Sequence, residues 1–178
     1  MRFFQSSVWG NSVCIIKKEK NMSYTFQSVE NAGKLVMSSK ICSILDGYKD
    51  YDQKFTSAYG RIKALFGKPD YETENLENLF SYCISAVSED GETVYLEIYR
   101  AGSGLAVGGK QNELSRKAAR ALVDYIWQAE PVDYAHKAYY MDGPVVVDFG
   151  IKDGVPYYNE SVLELSEKEF KELYDKLY

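Results

Sequence analysis

From Asp50 onward the apolar positions Tyr51, Phe55, Tyr59, Ile62, Leu65 and Phe66 recur at three- and four-residue intervals until Gly67 and Pro69. That period draws one apolar stripe along a helix, with Asp50 as its N-cap and the glycine and proline as its stop. Residues 81–100 obey a different rule. SYCISAVS and TVYLEIYR flank EDGE, and an Asp90-Gly91 pair between two such runs predicts a β-hairpin. In its second arm Val94, Leu96 and Ile98 point one way and Tyr95, Glu97 and Tyr99 the other. One face is therefore buried and the other at least partly wet.

Further on, Asn112 is placed to cap a helix carrying Leu114, Ala118, Ala121, Leu122, Tyr125 and Ile126 on one side, ended by Pro131. GPVVVDFGI and VPYYN surround Lys152, Asp153 and Gly154, a second hairpin signal. Ser166 and Glu169 form a capping-box pattern ahead of Phe170, Leu173, Tyr174 and Leu177, which predicts a terminal amphipathic helix packed on the sheet. A weaker helical pattern covers 30–46, around Leu35, Val36, Ile41, Ile44 and Leu45, and stops at Gly47. The expectation is an α+β domain over 22–178, with a single antiparallel sheet built from the two hairpins and helices packed on it. Residues 1–21 show neither period and carry Arg2, Lys17, Lys18 and Lys20 against Glu19. They read as an appendage, or as a translated ribosome-binding site (KKEKNM) ahead of a true start at Met22.

Composition narrows the class. A chain of 178 residues with 46% apolar content can bury one sizeable core. Its apolar runs are far too short to span a bilayer. Cys14, Cys42 and Cys83 offer no CxxC pair, so neither a disulfide framework nor a zinc site is expected, and a reducing cytoplasm suits them. The formal charge is -5. Counted from Met22 it becomes 17 basic against 25 acidic residues, or -8. Such a balance opposes binding to nucleic acid or anionic membrane and favours a basic protein partner.

Candidate chemistry is concentrated in AGSGLAVGGKQNEL. From Gly104 it satisfies Gly, four of any residue, Gly, Lys, but Gln111 stands where a phosphate loop needs a Ser or Thr hydroxyl for magnesium. The strand before it alternates, whereas a phosphate loop follows a strand buried on both faces. The stretch is expected to connect strand to helix, with Gly102, Ser103, Gly104, Gly108, Gly109 and Lys110 as candidates for an anion or ligand contact. PVVVD and DFG belong to a hairpin arm and carry no nucleotide chemistry. His136 is the lone histidine and Cys42 or Cys83 the available thiols, but no catalytic constellation, metal set or cofactor is indicated.

Sixteen tyrosines remain as the unusual feature. Tyr134, Tyr139, Tyr140, Tyr157 and Tyr158, with the acidic group Asp70, Glu72, Glu74 and Glu77, are candidates for a partner interface, because adjacent strand residues must point to opposite faces. The run LFGKPDYETENLENLFSYCISAV, through YLEIYRAGSGLAVGG, resembles small stand-alone bacterial proteins of the immunity class that accompany polymorphic or contact-dependent toxins. The likeness extends in layout over residues 30–178. It implies a non-catalytic inhibitor that binds and neutralises a cognate toxin domain, frequently a nuclease. The alternative is a ligand-binding module or small enzyme using residues 102–110.

Overall fold

The computed structural model describes residues 23–31, 39–45, 50–101, 104–140 and 143–177. The expected appendage at 1–21, and Gly102 and Ser103, lie outside them. Within them the chain is α+β, with three α-helices and nine strands.

A six-stranded antiparallel sheet runs β1 (Tyr24–Ser28), β4 (Phe80–Ser88), β5 (Thr93–Ala101), β6 (Gly104–Gly109) and β2 (Ser39–Ser43), with the two-residue β3 (Tyr71–Glu72) on the free part of the β4 edge. The first hairpin is β4–β5. Its connection is longer than a two-residue turn: the Gly91 N–H donates to the Ser88 carbonyl at 2.9 Å, and Gly91 adopts φ 82°. The second hairpin is β8 (Val145–Lys152) and β9 (Val155–Val162), which with β7 (Tyr134–Tyr140) make a separate three-stranded sheet. Asp153 and Gly154 have φ 52° and 75°, the left-handed pair a tight hairpin requires. The Asp133 carboxylate accepts both of their N–H groups, at 2.8 and 3.0 Å. The two hairpins, expected in one sheet, thus occupy two.

Helix α1 (Tyr51–Phe66) follows its predicted period and stops at Gly67, whose φ of 70° ends the turn. Asp50 sits at the N-cap but makes no side-chain cap bond. Phe55, Tyr59 and Ile62 are fully buried, and Phe55 and Tyr59 meet Phe149 of β8. A Cβ at Gly60 would lie 2.6 Å from Ile151 Cδ1, so the glycine lets helix and small sheet approach. Helix α2 (Glu113–Gln128) begins as expected, with Asn112 Oδ1 accepting the Ser115 N–H at 2.8 Å. It covers the large sheet with Ala118, Ala119, Leu122 and Ile126, opposite Ile84, Leu96, Ile98 and Val107 in one continuous core.

Three further expectations need correction. Residues 39–43, placed in a helix by a weak apolar period, form β2 on the edge of β6. Pairing with a distant strand overrides the local pattern there. The glycine-rich stretch is itself a strand. Leu105 and Val107 of β6 enter the core, while Gly104, Ala106 and Gly108 alternate on the other face. Helix α3 (Glu167–Leu177) has its capping box, with the Ser166 N–H donating to Glu169 Oε2 at 2.9 Å, but buries no residue fully. It lies at the periphery, where Lys176 reaches Glu74 at 3.5 Å.

Candidate functional site

The segment after α1 joins the two sheets, and two groups of polar side chains form around it. Asp70 turns the chain back onto β4: its N–H donates to the Ser81 carbonyl at 3.0 Å, and its carboxylate accepts the Cys83 N–H at 2.8 Å. Tyr71 and Glu72 then pair with Ser81 and Phe80. As neighbours in a strand they point to opposite faces.

Glu72 points to the face that carries α1, with its side chain still 28% exposed. Its Oε1 accepts the Tyr59 hydroxyl and the Lys63 ammonium, the latter at 2.9 Å, and lies 3.8 Å from His136 Nδ1. The Tyr59 ring is fully buried, stacks on Phe80 at 4.3 Å between centroids, and carries the Lys63 ammonium 4.7 Å from its centre. His136 of β7 also meets the Thr73 carbonyl through Nε2 at 3.4 Å. Burial raises the Tyr59 hydroxyl far above its ordinary range, and its bond to Glu72 adds to this. Burial lowers His136 and outweighs the Glu72 charge, so the ring is neutral near pH 7. For Glu72, burial works upward, but the hydrogen bonds from Tyr59 and Lys63 and the lysine charge prevail, leaving its carboxyl below the ordinary value. These residue types could serve acid–base chemistry, yet here three groups converge on one carboxylate oxygen and tie α1, β3 and β7 together. The cluster is a fastening between sheets.

Tyr71 points outward and is 52% exposed. Across β4 and β5 the same row continues through Ser81 to Tyr99. Glu97 is diagonal to Ser81 on that face, and the Ser81 hydroxyl donates to its Oε1 at 2.7 Å. Tyr71, Ser81, Glu97 and Tyr99, with Asn78, Phe80 and Arg100, line a cleft of about 290 Å³. Burial, then the Glu97 charge, raises the Tyr99 hydroxyl above its ordinary value. Tyr99 has room because its partner on β6 is Ala106, and Glu97 faces Gly108. The small residues of the glycine-rich stretch are therefore what the large side chains of β5 lie beside. A second depression, of about 370 Å³, opens at the start of α1 beside Asp50, Asp52 and Tyr158.

The structure disperses the residues singled out from the sequence. Gly108 and Gly109 are paired on both sides, by β5 and β2, and Gly104 pairs with Ala101 of β5, so these glycines belong to a ladder and not to a loop around an anion. Lys110 remains exposed ahead of α2 and Gln111 donates to the Ser39 and Lys40 carbonyls at 3.3 and 3.1 Å. Among the interface candidates, Tyr134, Tyr140 and Tyr158 face inward. The Tyr134 hydroxyl donates to the Thr56 carbonyl at 2.9 Å, and those of Tyr140 and Tyr158 lie 3.2 Å apart. Tyr139 and Tyr157 lie on the other face of the small sheet, where Tyr157 covers Gly150. Asp70 and Glu72 hold backbone and cluster as described, Glu74 meets Lys176, and the Glu77 N–H bonds to buried Asn75. The Tyr71, Glu97 and Tyr99 cleft was missed as a unit. Its visible signal was the wet face of β5, but Tyr71 reaches that face only through the pairing of β3.

Among the described residues no three His, Cys, Asp or Glu side chains are grouped to hold a metal, and no helix is long and apolar enough to cross a membrane. Comparisons with protein-family models, curated proteins and solved structures find no match.

Proposed function

We propose that the protein is a non-catalytic binding protein for a basic protein partner, in its most concrete form an immunity protein that neutralises a bacterial toxin domain. The observation that carries this reading is the outer face of the large sheet, where Tyr71, Glu97 and Tyr99 line one cleft and the Ser81 hydroxyl holds the Glu97 carboxylate. Rigid aromatic rings and an oriented charge are the groups that give protein interfaces both area and register. The groups suited to acid–base work, in contrast, are engaged with one another between the sheets. The formal charge of -5 supports attraction to a basic surface.

The test is co-expression with the products of neighbouring genes. One of them should arrest growth alone, be relieved by this protein, and bind it with an affinity that falls as salt rises. A neighbourhood in which no product is toxic, or toxicity unrelieved by the protein, would overturn the reading.

A further inference from the structure

Tyr71 and Tyr99 sit on either side of Ser81 in one row, so their backbones are about two strand spacings apart, roughly 10 Å. That spacing sets the width of the cleft at its backbone. Glu97 stands at the side of the slot, held by Ser81 through Oε1. Among the described residues no Lys, Arg or His pairs with the Glu97 carboxylate. Arg100 also borders the cleft, but it is buried and its guanidinium lies on the opposite face, 4.3 Å from the centre of the Phe55 ring. The slot therefore presents two tyrosine side chains and a carboxylate that forms no ion pair with a described residue.

We infer that the Tyr71–Glu97–Tyr99 cleft is the part of the interface that receives an arginine side chain of the partner protein. A guanidinium is flat, stacks on aromatic rings and gives its N–H groups to a carboxylate in a fixed fork, whereas an ammonium uses only the charge. The inference rests on the binding-protein reading above, but its chemistry can be measured without the partner.

The experiment is a titration of the isotope-labelled full chain with N-acetyl-arginine amide, followed by the backbone amide signals. Saturable shifts are expected at Tyr71, Ser81, Glu97 and Tyr99. N-acetyl-citrulline amide, equal in shape but uncharged, should leave them still. Glu97→Gln should weaken the arginine response about five-fold, as expected when one carboxylate leaves a partly solvated aromatic site. Its unchanged melting temperature would show that the fold is intact, and Tyr71→Ala, at an exposed position, supplies a second variant. Shifts confined to the depression at Asp50 and Asp52, equal binding of citrulline, or an unaltered response in both variants would overturn the inference. A cognate toxin that binds Glu97→Gln as tightly as wild type would also overturn it while leaving the binding-protein reading in place.

Discussion

Tyr71 and Glu72 are adjacent in a two-residue strand, and the groups they enter have opposite characters. On the inner side, Glu72, Tyr59, Lys63 and His136 complete one another across three elements. On the outer side, Tyr71, Glu97 and Tyr99 use the same residue types, but the carboxylate has a serine hydroxyl for company and no paired cation. A tyrosine and an acid therefore have no fixed meaning in a sequence. Their partners decide whether they hold the fold together or remain available to another molecule.

The sharpest way to break this contrast is to truncate one tyrosine from each group. Tyr59→Ala removes a fully buried ring stacked on Phe80 and should cost about 4 kcal/mol, measured by denaturant unfolding. Tyr99→Ala should cost about 1 kcal/mol, because its ring lies on the wet face. Equal losses would erase the distinction. Tyr59→Phe keeps the packing and deletes only the hydroxyl, leaving Glu72 with fewer donors. It should cost about 2 kcal/mol, and a neutral result would show that the hydroxyl bond fastens nothing.

Acid should loosen the inner group in two stages. His136 titrates lower in the folded chain than in the unfolded one, so its contribution is complete above about pH 6.5 and declines as pH falls below that value. Glu72 is also lowered, so the stability it adds is present above about pH 4.3 and is lost as pH falls through its folded value. Thermal melts between pH 8 and pH 3 should show both declines. His136→Asn should flatten the upper one and keep the lower. The smallest effect belongs to the outer group: Glu97→Gln should change stability by no more than about 0.5 kcal/mol at pH 7. A larger loss would make Glu97 part of the fastening as well.

Much of this arrangement could be read before the fold was known, where the signal was local. Helix α1 announced itself by period, Asn112 and Ser166 by capping chemistry, and Asp153-Gly154 by the turn it had to make. Strand β6 did not, because glycine has no side chain to reveal an alternation and the strand exists through β5 and β2 on either side. Strand β2 was hidden for the same reason, five residues whose structure depends on a partner more than sixty positions away. The tyrosines divided as strand geometry demands, but which member of each pair went inward depended on where α1 packed. The outer cleft depended on β3, a pairing too short to leave a pattern.

Glu97 is bonded to the Ser81 hydroxyl alone, whereas Tyr59, Lys63 and His136 all converge on Glu72. Carboxyl carbon signals of both residues, recorded during a titration with N-acetyl-arginine amide at pH 7, test this difference most directly. A saturable shift of the Glu97 carboxyl with the Glu72 carboxyl unmoved is the predicted result; movement of Glu72 alone, or of neither, would contradict it.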